Sequence, residues 1–377
     1  MPTSLFSWHT VKINQNDTGG NSHSEDSAKV KLLGLYILFQ IWFLSFISLL
    51  CVSVMSVLLV PCYTNSNLLQ QDSNYMTPIL TETQMENIQH EMKRRQLTMM
   101  GQCHNTSSSK VNSIHQMPKI LKVAKKLFVE KEHKLVWCPI YKAGSTTWME
   151  IFATIGGVMT PNNRMRLSKG LIQINQLARM VYPKAKDTKA TLKLLPETTR
   201  FIIVRHPFER ILSAYRDKLE HRKDREFYYR RYGRHIVRLQ RDGNATFADR
   251  AEPTFMEFLQ YLVKTKNFDE HWSPFTVECA PCELNYQFIL KMESLEKEQL
   301  FLAIKTNLLD FLLTVNSTDQ LLQNTNPNGR TEQKYAQQYY GQVPKQLLQK
   351  VYVVYEDDFR LFDYSPNEYF SFAKGNS

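Results

Sequence analysis

Two stretches of the sequence decide the fold: VWCPIYKAGSTTWMEIF at residues 136–152 and FIIVRHPFERILSAYRDKL at residues 201–219. In each, an apolar run typical of a strand ends at a turn rich in small, hydroxyl or basic residues, and an amphipathic helix pattern follows. This order directs helix N-termini toward a ligand, because their unpaired backbone N–H groups and the positive end of the helix dipole attract anions. Lys142 and Arg205 add full charges to the two turns. The sequence therefore predicts a split site for a phosphorylated nucleotide.

The region from Pro118 onward has the pattern of an α/β protein. Apolar runs of strand type, separated by helical patterns, recur at Leu135–Val136, Phe201–Val204, Phe288–Leu290 and Val351–Tyr355. This alternation predicts a P-loop-like parallel sheet flanked by helices. With 377 residues, 43% of them hydrophobic, the chain has enough apolar material for a large core.

An uncharged apolar stretch of 29 residues, LLGLYILFQIWFLSFISLLCVSVMSVLLV, occupies residues 32–60. A membrane-spanning helix needs roughly 20 residues, so this stretch predicts a transmembrane anchor. A cleaved signal peptide is disfavoured, because its apolar region would be shorter, about 7 to 15 residues, and nearer the N-terminus. Lys29 and Lys31 precede the anchor and the next lysine or arginine is Lys93, so the positive-inside rule predicts a cytosolic N-terminus.

This orientation predicts a type II membrane protein of four parts. They are a cytosolic tail at residues 1–31, a signal anchor at 32–60, a lumenal stem at 61–117 and a lumenal globular domain at 118–377. The stem contains one predicted helix, near Glu82–Met100. Asn105, Asn244 and Asn316 begin N-x-S/T sequons on the lumenal side and are predicted glycosylation sites.

Five of the six cysteines follow the anchor: Cys62, Cys103, Cys138, Cys279 and Cys282. An oxidising lumen favours disulfides among them, but the sequence does not determine which cysteines pair. Cys279 and Cys282 form a CAPC segment that would suit half of a zinc site. No second pair of cysteines or histidines stands at ligand spacing in the sequence, so no metal is predicted.

The basic residues outnumber the acidic ones by 47 to 36, a net charge of +11 that favours an anionic partner. Residues 221–241, HRKDREFYYRRYGRHIVRLQR, concentrate this charge, with eight lysines and arginines against two acids. A solvated helix face is one interpretation of such a run. Phe227, Tyr228, Tyr229 and Tyr232 favour another, because aromatic rings between cations suit stacking against sugars or bases. This basic stretch is therefore predicted to attract an anionic acceptor toward the nucleotide site.

The first turn lacks the P-loop pattern G-x-x-x-x-G-K-[ST], since its lysine precedes its glycine. It still offers a lysine, a glycine that permits close backbone approach, and hydroxyl groups, in the run Lys142, Ala143, Gly144, Ser145, Thr146 and Thr147. These groups suit a phosphate at a helix start. An ordinary N-capped helix after a strand would explain Ser145 and Thr146 nearly as well.

The second turn is more specific. Arg205 ends an apolar strand, Pro207 suits a first helical turn, and Ser213 follows Arg205 by eight residues. The two turns resemble the 5'-phosphosulfate loop and the 3'-phosphate motif of sulfotransferases that use 3'-phosphoadenylyl sulfate (PAPS). More narrowly, RHPFERILSAYRDKLE, FYYRRYGRHIVR, EHW, CAPC, NYQFILKMESL and VYEDDFRLFDY resemble segments of the Golgi carbohydrate sulfotransferases of the HNK-1 and chondroitin 4-O type. The resemblance covers residues 136–364.

The resemblance implies roles for the residues of both turns. Lys142 would contact the 5'-phosphosulfate and stabilise the charge that develops on the departing nucleotide. Arg205 and Ser213 would bind the 3'-phosphate, which an arginine fork matches well. The implied donor-binding residues are Tyr141, Lys142, Ala143, Gly144, Ser145, Thr146, Thr147, Arg205, His206, Pro207, Phe208, Glu209, Arg210, Ile211, Leu212 and Ser213. Glu209 and Arg210 are also interpretable as a pair within the helix.

The chain departs from the family pattern in both turns. The family's first loop commonly reads Pro-Lys-x-x-Cys-[ST]-Asn, where this chain has Tyr141, Ser145 and Thr147. Hydroxyl groups keep hydrogen-bonding capacity at these places, so nucleotide binding is still expected. His206 stands where an acidic residue is frequent, and its role stays open.

Transfer of a sulfuryl group to a hydroxyl needs a general base within hydrogen-bond reach. His271, in the segment DEHW, is the first candidate, and Glu270, Asp269 and His206 are the alternatives. The mechanism requires no metal, because lysine, arginine and backbone N–H groups suffice to hold the donor.

The resemblance implies a Golgi enzyme that sulfates a glycan hydroxyl, first of all position 4 of N-acetylgalactosamine in chondroitin or dermatan. Terminal glucuronate of the HNK-1 epitope and terminal N-acetylgalactosamine of N-glycans are other acceptors within the family. A glycosaminoglycan, not a nucleic acid, is the expected partner, and the oligomeric state stays open. A lumenal kinase or nucleotide hydrolase is disfavoured by the missing Walker pattern. A non-catalytic glycan-binding membrane protein is disfavoured because Lys142, Arg205 and Ser213 occur together.

Overall fold

The computed structural model describes residues 80–105, 113–241, 251–317 and 333–375 of the chain. The predicted tail and anchor, and the predicted glycosylation site Asn244, lie outside these residues. Asn105 is the last residue of a described helix and Asn316 the next to last of another, but their side chains lie outside the description. Among the described residues, no helix is both long enough and apolar enough to cross a membrane. The four-part organisation therefore stays a prediction.

Within the described residues, four strands form one mixed sheet in the order β1-β2-β3-β4. They are β1 Phe128–Glu130, β2 Leu135–Cys138, β3 Thr199–Val204 and β4 Phe288–Lys291. β2, β3 and β4 are parallel, with Trp137 opposite Phe201 and Phe201 opposite Phe288. These three strands confirm the predicted α/β class. The prediction of a purely parallel sheet is wrong at β1, which pairs antiparallel with β2 and is too short to show a periodic pattern in the sequence.

Helices connect and flank the strands. They are α1 Glu82–Asn105, α2 Ser113–Ala124, α3 Ser145–Ile155, α4 Pro161–Ser168, α5 Ile174–Val181, α6 Thr188–Leu194, α7 Pro207–Lys218, α8 Glu226–Tyr228, α9 Arg234–Gln240, α10 Phe255–Thr265, α11 Phe275–Cys279, α12 Pro281–Leu284, α13 Leu295–Lys305, α14 Leu309–Ser317, α15 Gln333–Tyr340, α16 Lys345–Leu361 and α17 Asn367–Phe372. Single turns of 3₁₀ helix occur at Leu195–Glu197 and Met292–Ser294, and a π-helical turn spans Tyr229–Gly233. α1 confirms the helix predicted near Glu82–Met100.

The run Val351–Tyr355, predicted as a strand, lies inside helix α16. Its consecutive apolar residues suit a strand, but the buried apolar positions along the helix include Leu348, Val351, Tyr355 and Phe359. Intervals of three and four residues line one face of a helix, and Val353 on another face is exposed. The prediction failed because a short apolar run does not distinguish a strand from part of a buried helix.

The buried apolar side chains form two clusters. The first surrounds the sheet and includes Trp137, Trp148 and Phe201. The second surrounds α7 and includes Phe208 and Tyr215. β3 contributes to the first cluster and α7 to the second. Arg205 and His206, which connect β3 to α7, therefore lie where the two clusters adjoin. This junction positions the second turn of the predicted site.

Helix α1 packs against the sheet although it falls within the predicted stem. The buried guanidinium of Arg95 donates to the Ile289 carbonyl of β4 at 2.8 Å and pairs with Glu298 at 2.9 Å. Near the end of the helix, Cys103 is disulfide-bonded to Cys282, 179 residues further along the chain. A cross-link across so long a loop strongly restricts the unfolded chain. α1 is therefore part of the folded unit.

A second disulfide joins Cys138, at the end of β2, to Cys279. The sequence left the pairing of the cysteines open. The structure pairs Cys103 with Cys282 and Cys138 with Cys279. Both cysteines of the CAPC segment are thus engaged in disulfides, which leaves neither sulfur as a thiolate for zinc. Cys62 lies outside the described residues.

We expect Arg95→Met to lower the free energy of unfolding by about 3 kcal/mol, because it leaves the buried Glu298 carboxylate without its cation. The loss falls at the low end of the range for buried pairs, since the Lys291 N–H and the Ser294 hydroxyl still donate to Glu298. Urea unfolding followed by tryptophan fluorescence, with the disulfides intact, measures the change.

Arg94→Met is the matched control for Arg95→Met. The Arg94 side chain is 44% exposed, and its pairs with Glu91 and Asp363 lie at the surface. Such pairs contribute about 0–1 kcal/mol each. If both variants lost equal stability, Arg95 would not be what anchors α1 to the sheet.

Candidate active site

The loop after β2 contains two residues in the left-handed region. Lys142 and Gly144 both have a φ of +70°, and the Ala143 N–H donates to the Ile140 carbonyl at 3.3 Å. Helix α3 follows with Gly144 as its N-cap, and no side chain of the described residues caps it. The alternative of an ordinary N-capped helix is therefore wrong. The first N–H groups of α3 have no side-chain acceptor, which is the state in which a helix N-terminus binds an anion.

Gly144 is required at its position for two reasons. Its φ lies in a region that other residues rarely adopt, and a Cβ atom there would lie 2.9 Å from Cδ2 of Leu295 and 3.6 Å from Sδ of Met292. Both of those residues follow β4. The first loop is thus in close contact with the segment after β4, and a larger residue would displace it.

Arg205 joins the two predicted halves of the site. Its Nη1 donates to the Lys142 carbonyl oxygen at 3.4 Å, and its Nε donates to Glu209 Oε2 at 3.2 Å. The Tyr369 hydroxyl donates to the other oxygen of Glu209, also at 3.2 Å. Arg205 and the backbone of Lys142, separated by more than sixty residues in the chain, are therefore in contact. Glu209 pairs with Arg205, so the alternative of a Glu209–Arg210 pair within the helix is wrong.

Arg210 has a different role from Arg205. It is 1% exposed, and its guanidinium donates to the carbonyls of Tyr141 at 2.8 Å, Ser273 at 2.6 Å and Glu270 at 3.0 Å. One side chain of α7 therefore holds both the first loop and the DEHW segment. Because its N–H groups bind backbone carbonyls, Arg210 stabilises the two segments of the site and is not assigned to the donor.

The Lys142 ammonium lies in a cluster of charges around Asp217, near the C-terminus of α7. Its Nζ lies 3.0 Å from Asp217 Oδ2, Lys218 Nζ lies 3.1 Å from the same oxygen, and Arg225 Nη2 lies 2.9 Å from Oδ1. Burial raises the pKa of Asp217, but the three cations outweigh it and hold the pKa below its usual range. Burial lowers the pKa of Lys142, and the Asp217 carboxylate opposes this effect.

His271 and Asp269 form a hydrogen-bonded dyad. His271 Nδ1 lies 2.5 Å from Asp269 Oδ1, and the His271 backbone N–H donates to the same oxygen at 3.1 Å. This geometry makes Nδ1 the donor and leaves Nε2 as the basic nitrogen; the hydrogen bonds of His271 to described residues are at its backbone N–H and Nδ1. Burial lowers the pKa of His271, Asp269 raises it, and the nearby charges of Lys218 and Lys142 lower it. The imidazole is therefore neutral near pH 7.

Aromatic rings place the dyad beside the first loop. The Tyr141 ring lies 4.7 Å from the His271 ring, and the Tyr228 ring stands perpendicular to it at 5.6 Å. The Tyr232 hydroxyl donates to Asp269 Oδ2 at 3.2 Å. Tyr228 and the π-helical turn Tyr229–Gly233 belong to the basic stretch, and π turns are frequent at functional sites. The basic stretch is thus in contact with the candidate base.

His206, an alternative base, is built into the fold. Its backbone N–H donates to Glu293 Oε1 at 2.7 Å, its Nε2 lies 3.0 Å from the Ser365 carbonyl oxygen, and its ring stacks on Tyr369 at 4.4 Å. Burial lowers its pKa. With Nε2 engaged and Nδ1 buried, His206 supports the turn after β3 and is a poorer candidate than His271.

The other predicted donor-binding residues lie around the two helix starts. Thr146 and Thr147 are half-buried in the first turn of α3, and Pro207 is the first residue of α7. Ser213 is buried in the second turn of α7 and has no hydrogen-bond partner among the described residues. Three of the set bury their side chains in the second cluster, namely Phe208, Ile211 and Leu212. Direct contact of each with the donor stays a prediction.

Metal-ligating side chains come together at one place in the described part of the chain, Glu130, Glu132 and His133. The Glu130 carboxylate accepts the backbone N–H groups of the other two residues. These hydrogen bonds belong to the turn between β1 and β2, and the turn explains why the three side chains lie together. It has no part in the site.

A comparison with family models decides the identity of this site. The model described as "Sulfotransferase family" matches residues 125–365, which include both turns, the basic stretch and the DEHW segment. The chain belongs to the sulfotransferase family. Both the predicted family and the predicted enzyme class are confirmed, and membership implies PAPS as the donor of this sulfotransferase.

Several curated proteins resemble this sulfotransferase over most of its length. Carbohydrate sulfotransferase 11 of Rattus norvegicus is 28% identical over 309 residues, which are 78% of this chain and 80% of the relative. Carbohydrate sulfotransferase 8 of Homo sapiens is 30% identical over 248 residues, 64% of this chain and 55% of the relative. Carbohydrate sulfotransferase 12 of Xenopus laevis is 28% identical over 310 residues, 74% and 69% of the two chains. No solved structure matches the sulfotransferase significantly.

Sequence reasoning missed Asp217, one of the carboxylates that complete the site, and the contact that the other, Asp269, makes with His271. Asp217 lies between Arg216 and Lys218, so in the sequence it resembles an ordinary charged position on a helix surface. Asp269 was an alternative base, whereas the structure makes it the partner of His271. The spacing of Asp269 and His271 was the sequence signal for this contact, because a carboxylate two positions before a histidine reaches its Nδ1 in a tight turn.

We expect Gly144→Ala to weaken binding of adenosine 3',5'-bisphosphate, the product nucleotide, roughly tenfold, or about 1.4 kcal/mol. The added Cβ combines left-handed strain with the contact to Leu295, and it displaces the N–H groups at the start of α3. Titration calorimetry on the full-length protein measures the dissociation constant.

Gly157→Ala is the matched control, because Gly157 also has a φ of +70° but its Cβ would meet nothing within 4 Å. It should cost about 1–2 kcal/mol of stability through strain alone and leave nucleotide binding unchanged. Equal dissociation constants for the two variants would contradict a nucleotide site at the first loop.

Proposed function

We propose that this sulfotransferase transfers the sulfuryl group of PAPS to a glycan hydroxyl, with position 4 of N-acetylgalactosamine in chondroitin or dermatan as the acceptor. The observation that carries the proposal is the meeting of Lys142, Arg205 and the uncapped start of α3 beside the His271–Asp269 dyad. The names of the similar carbohydrate sulfotransferases 8, 11 and 12 support a carbohydrate acceptor.

Lys142 is suited to the departing nucleotide. Transfer breaks the bond between sulfur and the bridging phosphate oxygen, so negative charge grows on that oxygen. A fixed ammonium in a partly dry site stabilises such charge more than it stabilises the ground state. The side chain of Lys142 is 21% exposed, and its Nζ lies 3.0 Å from Asp217 Oδ2. Arg205, on the turn after β3, contacts the Lys142 carbonyl and supplies a second cation for the nucleotide.

His271 is suited to the acceptor. As the new bond forms between sulfur and the acceptor oxygen, Nε2 takes the hydroxyl proton, and Asp269 stabilises the imidazolium through Nδ1–H. The pKa of His271 is lowered, so the ring is in its basic form at neutral pH. Glu270, an alternative base, gives its carbonyl to Arg210, and its carboxylate has no hydrogen bond with a described residue.

The basic stretch provides an outer surface for a polyanion. Arg231, Arg234 and Arg238 are exposed, and Phe227 beside them is 62% exposed. Arg231 lies over the Phe227 ring, 5.8 Å from its centre. Neither Arg234 nor Arg238 forms an ion pair with a described residue. Their charge is thus available to sulfate or uronate groups of an extended acceptor, which favours a glycosaminoglycan over a short neutral glycan.

Acidic residues pair with several other cations of the stretch. Arg222 and Arg230 both pair with Glu226, and Arg241 pairs with Glu257. The solvated-face interpretation therefore accounts for part of the charge run. The acceptor surface consists of the unpaired arginines that follow the π-helical turn.

The cellular placement is also proposed. Resemblance to Golgi enzymes, the apolar stretch at residues 32–60 and the lysines before it support a single-pass type II protein of the Golgi membrane with a lumenal active site. Two disulfides within the described fold are consistent with an oxidising lumen. Glycosylation of Asn105, Asn244 and Asn316 follows from the same placement.

Radiolabelled PAPS and a panel of acceptors test the proposed reaction on full-length protein extracted in detergent. The panel contains desulfated chondroitin, dermatan, heparan, a glucuronate-terminated glycan and an N-glycan ending in N-acetylgalactosamine. We expect label at position 4 of N-acetylgalactosamine in chondroitin or dermatan, and none with Lys142→Ala. Disaccharide analysis after enzymatic digestion locates the label.

Other results of the panel separate the remaining alternatives. Label on terminal glucuronate or terminal N-acetylgalactosamine would replace the proposed acceptor by one of the other two. Binding of chondroitin and of the nucleotide without any transfer would favour the non-catalytic glycan-binding protein.

We expect His271→Ala to lower kcat by roughly 10²–10⁴-fold, the usual contribution of a general base. In the wild type, the acid limb of kcat should lie below pH 6.5, because the pKa of His271 is lowered. Asp269→Asn removes the group that raises this pKa, so the acid limb should move to still lower pH while kcat decreases. Measurement of kcat against pH checks both statements.

Glu270→Gln is the matched control for the base assignment. It keeps the carbonyl that Arg210 binds and removes the alternative carboxylate. We expect little change in kcat. A loss as large as that of His271→Ala, with an acid limb that disappears, would transfer the role of base to Glu270.

A further inference from the structure

Asp217 contacts the catalytic lysine directly and has no role in the transfer described above. Its Oδ2 lies 3.0 Å from Lys142 Nζ, although the two residues are 75 positions apart in the chain. The Asp217 side chain is 14% exposed and sits near the C-terminus of α7, the helix whose Arg210 also holds the first loop. Helix α7 thus contacts the first loop twice: Arg210 binds the backbone carbonyl of Tyr141, and Asp217 binds the side chain of Lys142.

Asp217 is unsuited to the role of general base. A base needs a pKa near the working pH, whereas three cations keep the Asp217 carboxyl ionised far below neutrality. A proton taken from the acceptor would not stay on such a group. The Asp217 carboxylate pairs with Lys142, Lys218 and Arg225. Arg225 also donates to the Asp217 backbone carbonyl.

We propose that Asp217 is a positioning residue that fixes the Lys142 ammonium, in its charged form, at the place where the departing nucleotide develops charge. This inference rests on the proposed role of Lys142 in sulfuryl transfer. A lysine ammonium has three N–H donors, so one contact to Asp217 leaves two for oxygens of the donor. A flexible four-carbon side chain would otherwise lose much of its catalytic effect to alternative rotamers.

The charges around Lys142 explain why a counter-ion is needed. Burial disfavours the ammonium, and the like charges of Lys218 and Arg205 disfavour it further. His271 is neutral near pH 7 and does not help. Glu209 is committed to Arg205, which leaves Asp217 as the carboxylate in contact with Lys142 in the described structure.

Chemical labelling tests this proposal without any assay of activity. The Lys142 amine reacts with acetic anhydride only when it is deprotonated, and mass spectrometry of the digested protein gives its rate at each pH. We expect Asp217→Asn in the full-length protein to raise the labelling rate of Lys142 near pH 8 about tenfold, the effect of one unit of pKa. Asp217→Glu keeps the charge and should restore most of the wild-type profile.

Asp357→Asn is the control for the loss of one negative charge. Asp357 is 50% exposed and pairs with Arg360 at the surface, so its removal should leave the labelling of Lys142 unchanged. The rate of sulfate transfer gives an independent result. Asp217→Asn should lower kcat about tenfold and move the alkaline limb of kcat to lower pH. The KM for PAPS should stay equal or fall, because the pocket gains net positive charge.

The outcomes separate this proposal from the proposed function. A Lys142 labelling profile that Asp217→Asn does not change overturns the positioning role, whatever the activity. A shifted profile in a protein whose wild type transfers no sulfate supports the hold on Lys142 and contradicts the proposed reaction. A rise in kcat together with a fall in KM would show that Asp217 competes with the donor, which also overturns the positioning role. Undiminished nucleotide binding by Asp217→Asn shows that the variant is folded.

Discussion

The site depends on the buried guanidinium of Arg210. Three backbone carbonyls, from the loop after β2 and from the DEHW segment, have no regular partner and receive its N–H groups instead. A buried carbonyl without a donor is costly, and a lysine in this position would not reach three acceptors in different directions. Asp358 completes the arrangement by accepting the N–H groups of Phe275 and Thr276, just after the DEHW segment. Burial raises the pKa of Asp358 to about 7. Two buried polar side chains from distant helices thus fix the distance between the donor loop and the candidate base.

The positive charge that suits the site to its donor is a difficulty for the protein alone. Lys142, Arg205, Lys218 and Arg225 lie close together, and without counter-ions their repulsion would disfavour the closed loops. The fold supplies carboxylates one by one: Glu209 contacts Arg205, and Asp217 contacts the other three. Both carboxylates come from α7, which also carries Arg210. One helix therefore both assembles the cationic site and neutralises enough of its charge for the protein to fold before the donor arrives.

The sequence predicted the features that depend on local patterns. Strand, turn and helix around Lys142 and Arg205 are visible because apolar runs, a glycine beside hydroxyl residues and an early helical proline all lie within a few residues. The sequence misassigned helix α16, whose Val351–Tyr355 run has the same composition as a buried strand, and it missed β1, which is too short to show periodicity. It also could not pair Lys142 with Asp217 or Cys103 with Cys282, since such contacts depend on how distant elements pack. The cationic residues of the candidate site were therefore predictable from the sequence, whereas the carboxylates that pair with them were not.

The same electrostatics decide which group accepts the proton. Asp217, the carboxylate in contact with Lys142, is surrounded by cations and stays ionised, which makes it a good anchor and a weak base. His271 is different, because burial and the neighbouring lysines lower the pKa of its imidazolium while Asp269 raises it. The opposing effects keep the ring neutral near pH 7 but still able to take a proton. Asp269 remains ionised, since its hydrogen bonds to His271 and Tyr232 outweigh the effect of burial on its pKa. Because the charged dyad partner holds Nδ1–H, Nε2 is the atom left for the acceptor, and the orientation of the base follows from the charge pattern of the site.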